Sequence, residues 1–531
     1  MVKRKEYPPV EMPDKTSTKK GAGGSRYVYL TTRAYRNASG KPTSDEAMIG
    51  KLAPDGVSLI PNQRYFEFFP ESKPSIKSAK ALGATATMYM LAERLGLTSL
   101  LKRVFSARAE MMLDCAGYMV NEGCVMAYLG DFSDESFVLA SPPLGSQGAS
   151  ELFESITDAE RSEFFLSWIK KISESEYIAY DVTSFSTYSG GIEDAEWGHN
   201  RDSDCLAQVN LGMFLGITTH TPAYYMTYQG SVLDKTHLLP MMDSAAILGI
   251  GSVRFVFDRG FVTSENLAYV ANEHLSFVTA IPSSLLDYKE VLKQAKAAGI
   301  ASSANALPAE RLYALAIPHK VLGTKMTCHV YYSPTKRAGE EEIVYAKIMN
   351  LEADLTKLSV KKSLPKKYRD HFKVVTGEAS VASFERDYEK TDEQISKAGF
   401  FVLATDDETL SSKEVLDTYR RKDAIEKAFS GMKNTLDLKR LRVHSSATAS
   451  GKLFCGFLAL IILMYIREAL NSDAKTQGIS VESAIKELKK LKRIIYPDGS
   501  VQHTTVTKKQ REILQALDIA ADNLLSYGLD D

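Results

Sequence analysis

The chain has 531 residues, room for about three or four domains of ordinary size, and its 44% apolar and 25% charged residues suit a globular protein with sizeable cores. A net charge of -1 excludes attraction of nucleic acid by bulk charge, so such a partner would have to be met by basic residues gathered in patches. The five cysteines, Cys115, Cys124, Cys205, Cys328 and Cys455, include no Cys-x-x-Cys pair, which argues against a zinc ribbon or disulfide framework and for buried reduced thiols in a cytosolic protein.

Residues 1–25 read as a mobile basic leader, with Lys3, Arg4, Lys5, Lys15, Lys19 and Lys20 ahead of a glycine-rich stretch. No apolar run follows the start, so no secretory signal is expected. Residues 27–32 and 64–69 alternate like short strands. From about 78 to 170 the apolar residues recur at helical spacing, as in Leu91, Leu95 and Leu97 and then Leu100, Leu101 and Phe105. At Tyr177 the texture changes. Strand-like runs occupy residues 177–182, 206–217, 223–228, 253–257 and 277–281, with helical segments near 236–248 and 263–272. Three strands followed by strand-helix alternation predict an α/β layer with a mixed sheet. Residues 286–397 interrupt that pattern, with strands at 311–317 and 328–332 and a helix at 341–357. A buried strand resumes at 399–404, and a helix follows from about Ser412. The apolar run at 453–466 is too short for a membrane span, which needs about 20 residues, and reads as a core helix. The tail from Val481 onward reads as helical, and is Lys-rich around 486–493. No internal repeat is evident.

Two aspartates stand at the ends of apolar strands: Asp181 after Tyr177-Ile178-Ala179-Tyr180, and Asp258 after Arg254-Phe255-Val256-Phe257. A carboxylate in such a place is costly to bury unless it is paired or holds a metal. Either one alone would suit a strand-to-loop cap. Together, each followed by loop-like residues, they point to a shared site. A third element is the helix from Tyr419 to Lys433. At about 100° per residue, Tyr419, Lys422, Glu426 and Lys433 fall in a stripe roughly 60° wide beside an apolar stripe of Ile425, Phe429, Met432 and Leu436. A solvated amphipathic helix would spread its charges over the polar face. An acid flanked by cations along one edge suits a groove where the acid holds a metal ion, the lysines hold phosphates and the tyrosine packs on sugar or base.

These residues resemble the DDE transposases of bacterial insertion sequences, in particular the group with a Tyr-x2-Arg-x3-Glu-x6-Lys signature. Tyr419, Glu426 and Lys433 match its spacing, while Lys422 stands where the family has Arg, with Arg421 beside it. Lys cannot form the bidentate fork of Arg on a phosphate. The segment 180–184 resembles the first catalytic strand, 208–212 the strand after it, and 230–238 the approach to the second. The resemblance covers roughly residues 176–470. It implies an RNase H-like catalytic core with a strand-rich insertion before the third acid; the residue pattern outside that span adds a mixed or helical N-terminal region and a helical C-terminal tail. The corresponding boundaries are 1–80 for leader and strands, 81–175 for a helical region binding DNA ends, 176–285 and 398–470 for the core, 286–397 for the insertion and 471–531 for the tail.

The resemblance further implies two Mg²⁺ ions, replaceable by Mn²⁺, held by Asp181, Asp258 and Glu426, with Asp181 shared between them. Tyr419, Arg421, Lys422 and Lys433 would contact DNA. The expected chemistry is hydrolysis of one strand at the element's end and attack of the freed 3′-hydroxyl on a second strand, with a hairpin as one route of excision. Terminal inverted repeats and target DNA are the implied partners, a homodimer on paired ends the implied assembly, and the cytoplasmic nucleoid, with no membrane, the implied location. Of residues near the acids, Trp197 reads as a core or loop anchor, Phe400 and Phe401 as strand core, and His199 and His237 as surface or hydrogen-bonded histidines. Asp194, Glu196, Asp202 and Asp204 read as a solvated acidic loop, and Arg420, Arg421, Lys427, Lys439, Arg440 and Arg442 as a basic concentration suited to phosphates. Two other readings remain open at this point: an RNase H-like nuclease without strand transfer, and a catalytically inactive or domesticated DNA-binding protein derived from a transposase.

Overall fold

The computed structural model describes residues 7, 9–21, 25–37, 39–72, 76–171, 176–198, 204–247, 254–273, 275–355, 364–375 and 383–529. Residues 151–465 form one compact unit; residues 1–150 and 466–531 form another. Lys3, Arg4, Lys5, His199 and Asp202 lie outside the described residues.

The unit 151–465 is built on a mixed sheet, nine strands wide among the described residues. Its first strands are β1 (Tyr177–Thr187), β2 (Ala207–Gly216) and β3 (Pro222–Gln229), an antiparallel meander. Helix α1 (Asp234–Ile247) then leads to β4 (Arg254–Phe257), and α2 (Ser264–Asn272) to β5 (Phe277–Ala280). β4 lies parallel to β1, and β5 parallel to β4. The spatial order β3-β2-β1-β4-β5, with one meander and two parallel additions, is the RNase H-like arrangement. These strands read as near-continuous apolar runs because helices cover the sheet. In β1 only Asp181 breaks the buried pattern.

Residues 286–397 divide in two. Helix α3 (Leu286–Ala297) is followed by a hairpin of β6 (Leu312–Val321) and β7 (Thr324–Tyr332). β7 of the hairpin pairs with β8 (Phe400–Thr405), which pairs with β5, so the sheet runs on through the hairpin. The remainder, a helix Pro334–Leu355 with the strand pair Phe372–Val375 and Ser383–Arg386, has its own small core of Ile348, Leu355, Leu364, Tyr368 and Phe372. After β8 come α4 (Ser412–Arg421), α5 (Asp423–Ser430) and the long α6 (Ser446–Ser472). α6 is long and apolar enough to cross a membrane, yet 78% of its most apolar stretch is buried inside the protein. Phe454 and Phe457 meet Phe165 edge-on there. Gly451 is required at one close approach, since a Cβ would stand 2.0 Å from the Phe153 carbonyl oxygen.

In the other unit, strands Thr16–Lys20, Arg26–Arg36, Pro42–Leu52 and Leu59–Pro61 make an antiparallel sheet over Val28, Leu30, Ile49 and Leu59. Lys19 and Lys20 therefore belong to a strand and not to a mobile leader; Lys19 is paired with Glu46. The expected strand at 64–69 is a short helix, Tyr65–Phe68: adjacent Tyr65 and Phe66 both bury, which strand alternation forbids, and Phe69 stacks on Tyr65 one turn on. The helices Gly83–Arg94, Leu97–Phe105 and Arg108–Glu122 agree with the helical periodicity. Buried Asp114 takes the Tyr89 hydroxyl at 2.6 Å and the backbone N–H groups of Leu139 and Ala140. The tail is not wholly helical. After Val481–Leu488 the chain forms Lys492–Ile495, paired antiparallel with Ser78–Ala81, because Ile494 and Ile495 suit a pleated half-buried surface. Four cysteines are buried; Cys205 is exposed, against expectation, on a loop ahead of β2.

Candidate active site

The parallel pairing of β1 and β4 puts Tyr180 opposite Phe257. The next residues are Asp181 and Asp258, so the two acids stand side by side about 5 Å apart along the sheet. Both flanking rings are fully buried, which fixes the strand ends. Here the chain order diverges: β1 leads to β2 and β3 on one side, while β4 leads to β5 on the other. Open α/β sheets place their sites at such a switch point, beyond the carboxyl ends of the strands. Asp181 is half-buried, and its Oδ1 accepts the Val182 N–H at 2.8 Å. Behind β1, Gly212 of β2 leaves space for the Tyr180 ring and for His237. His237 is buried against Tyr228, and burial pushes its pKa down to about 4. It is neither a surface group nor a hydrogen-bonded one at Nε2.

Glu426 comes from the opposite direction. Helix α4 starts on a capping box of Ser411 and Glu414. Val415 and Leu416 of α4, and Ala424, Ile425, Ala428 and Phe429 of α5, form the buried face, with α5 packed on β1. The joint at Lys422 keeps helical dihedrals (φ -54°, ψ -25°), so the two helices run on with a local tightening. The helical stripe therefore survives as far as Glu426. Beyond it, residues Gly431–Thr435 make a π turn, which rotates Lys433 away from the projected line.

Two contacts tie this helix to its acids. The Tyr419 hydroxyl donates to Asp258 Oδ1 at 2.8 Å. Burial first, then the charge of Asp258 and its hydrogen bond, hold the phenol proton on far above its ordinary range, and Glu426 adds to the same field. Lys422 is buried, and its Nζ meets Glu426 Oε1 at 3.1 Å while the Glu426 side chain stays 59% exposed. The chain then returns to β1: the Ser186 N–H donates to Lys439 O, and the Leu441 N–H to Ser186 O.

Asp181, Asp258 and Tyr419 are thus brought together, with Glu426 carried one and a half to two turns beyond Tyr419 on the same helical edge. The oxygens of the three acids do not close to within 4.8 Å of one another. As a donor set they are all-carboxylate, partly open to water, and arranged on two strands and a facing helix; this suits a hard divalent ion that keeps some of its waters.

Other expected residues are placed differently. Arg421 is exposed. Arg420 pairs with Glu310, Lys427 with Asp423 at 2.7 Å and Arg442 with Asp437 at 2.7 Å, so part of the basic concentration is neutralised locally. Arg440 lies over the Tyr188 ring and 3.7 Å from Asp204. Trp197 is no core anchor: it is 69% exposed. Phe400 and Phe401 stack on Tyr332 and Tyr331 across the strands, half-buried. Asp194 has its carboxyl pushed up by burial and by Glu193 and Glu196, so this loop is only partly solvated. Arg259, exposed directly after Asp258 in an Asp-Arg-Gly-Phe run, is a further cation beside the acids that was not among the expected DNA contacts.

The family model described as transposase DDE domain matches residues 173–462, a span holding Asp181, Asp258 and Glu426. Among solved structures, a cryo-EM structure of a piggyBac transposase synaptic complex with hairpin DNA is similar at 10% identity and a TM-score of 0.34, over 64% of this chain. The match covers 56% of that transposase's own length. No curated protein matches the chain.

Proposed function

This chain belongs to the transposase DDE domain family, and from that premise we propose that it cleaves DNA at the ends of an insertion sequence and joins the freed ends to a target. The observation that carries the reading is the side-by-side placement of Asp181 and Asp258 with the Tyr419 hydroxyl on Asp258. Members of this family generally act with divalent metals. Asp181, Asp258 and Glu426 would hold two Mg²⁺ ions, or Mn²⁺ in their place, which when bound make an attacking oxygen nucleophilic and neutralise charge on the scissile phosphate.

The protein's own part is positioning. Tyr419 fixes the Asp258 carboxylate by its hydroxyl, and Lys422 Nζ holds the Glu426 carboxylate. Arg421 and Lys433, with Arg259 beside Asp258, would bind backbone phosphates. Phosphate contacts set the register of the duplex without reading sequence. Water first attacks the phosphorus at the element's end, forming a new P–O bond as the 3′-oxygen leaves. The freed 3′-hydroxyl then attacks phosphorus in a second strand, losing its proton as another 3′-oxygen departs. Terminal inverted repeats and target DNA would be the substrates, a homodimer the assembly that pairs two ends, and residues 81–175 the region that binds each end. Excision through a hairpin is the finer form of this proposal; it requires pre-nicked ends to yield hairpins on denaturing gels.

A strand-transfer assay with a pre-nicked terminal repeat and a supercoiled target separates this from a simple nuclease. Joined products are expected. Hydrolysis without joining would limit the function to DNA cutting, and binding without either would leave a DNA-binding remnant.

A further inference from the structure

On α3, Asp287 and Glu290 stand three residues apart and so project from one side of the helix. Facing them across the sheet surface is His319 of β6. Its Nε2 lies 3.4 Å from Asp287 Oδ1 and 3.8 Å from Glu290 Oε2, and one ligand atom from each residue falls within 4.8 Å of the others. These are poor distances for hydrogen bonds. The same nitrogen is buried and has no hydrogen-bond partner. A buried ring nitrogen without a partner needs an explanation, and an ion is one of the few available.

The spacing has a second meaning. Nitrogen and oxygen donors about 2.1 Å from a tetrahedral zinc ion stand roughly 3.4 Å apart, near the separation of His319 from Asp287. The second Asp287 oxygen is already engaged, accepting the Leu322 N–H at 3.1 Å. Leu322 sits at the tip of the β6–β7 hairpin with φ +49°, which a leucine rarely adopts. That bond orients the carboxylate and leaves its Oδ1 for the cluster, as an outer hydrogen bond does for metal-ligating carboxylates. Glu290 is 65% exposed, which gives an ion a way in.

We propose that Asp287, Glu290 and His319 form a site for a borderline divalent transition ion such as Zn²⁺, fastening α3 to the β6–β7 hairpin where the catalytic sheet is extended. A mixed imidazole and carboxylate set selects such ions over Mg²⁺, which prefers oxygen alone and a full octahedron. The site is separate from Asp181, Asp258 and Glu426 and does not depend on their role.

The test is Zn²⁺ titration of the metal-stripped full chain by calorimetry, with Co²⁺ absorption as a second readout. A Zn²⁺ site is expected that survives Asp181→Asn and weakens at least about tenfold in His319→Gln and in Glu290→Gln. Glu290 is exposed enough for its variant to fold, so that variant guards against misfolding of the histidine one. Zn²⁺ should also raise the melting temperature of the intact chain, and by less that of Glu290→Gln at the same Zn²⁺ concentration. Zn²⁺ uptake equal in all variants, or absent from the intact chain, would overturn the proposal and leave an ion pair of His319 with two acids.

Discussion

The two strand-borne acids and the helix-borne acid are held by different means. Asp181 and Asp258 inherit their positions from a paired, buried sheet in which Tyr180 and Phe257 cannot move without opening the core. Glu426 is 59% exposed on a helix, and its carboxylate depends on one buried lysine. Tyr419 is the link between the two arrangements, since it sits on the helix and donates to a strand acid. The difference teaches that the strand side is fixed by folding, while the helix side is adjustable and sensitive to single contacts. For the proposed reaction this would suit a site that admits one DNA strand after another.

Each half of that contrast can be tested. The largest effect is expected at the strand acids. Asp181→Asn or Asp258→Asn should lower cleavage by about 10³-fold or more, since in the proposed reaction each is a metal ligand whose loss forfeits several kcal/mol of transition-state stabilisation. Gel-shift affinity for the same DNA should change little, because the sheet supplies the fold either way.

Acid pH probes both halves through buried histidines. His237 lies behind the strand acids, whereas His329 of β7 is hydrogen-bonded to Ser412 at the start of α4, the helix that runs on into the one carrying Glu426. Burial pushes both pKa values down from 6.5 to about 4. The unfolded chain therefore takes up these protons first. Stability is fully present above about pH 6.5 and declines as pH falls toward 4, by at most about 3 kcal/mol per histidine. Thermal melts should show that decline, and His329→Gln should make it shallower. An unchanged slope would mean that His329 takes up its proton as readily in the fold as in the unfolded chain.

On the helix side, Lys422→Met should cost about 10–100-fold in cleavage and raise the Mg²⁺ requirement, the usual effect of losing a partner that orients a ligand. Lys422→Arg should keep most activity if the residue acts by holding Glu426. A smaller loss, about tenfold, is expected for Tyr419→Phe. If Tyr419→Phe were as damaging as Asp258→Asn, the tyrosine would be more than a positioning residue.

Much of this arrangement is legible in the amino-acid sequence. Strand-ending aspartates in apolar runs are conspicuous, and helical projection alone puts Glu426 beside Tyr419 and Lys422. Projection gives direction and not depth, so it cannot tell that Lys422 is buried on Glu426 while Arg421 faces solvent. Nor can it foresee the π turn that moves Lys433, because the residues Gly431–Thr435 carry no local marker for it. The strands of β6 and β7 are legible as strands, but periodicity names no partner. The pairing of β7 to β8, which makes both strands part of the large mixed sheet, is a long-range outcome. Trp197 and Cys205 mislead because apolar residue types are usually buried, and here both lie on loops ahead of β2.

The most direct test of the account is cleavage of a labelled duplex carrying the terminal repeats, with Mg²⁺ or Mn²⁺, by the intact chain and by Asp181→Asn, Asp258→Asn and Glu426→Gln, with binding measured in parallel. The account predicts that the intact chain cuts at the repeat boundary and that every variant binds without cutting. Cutting by any of the three variants at the intact rate would contradict the three-carboxylate site.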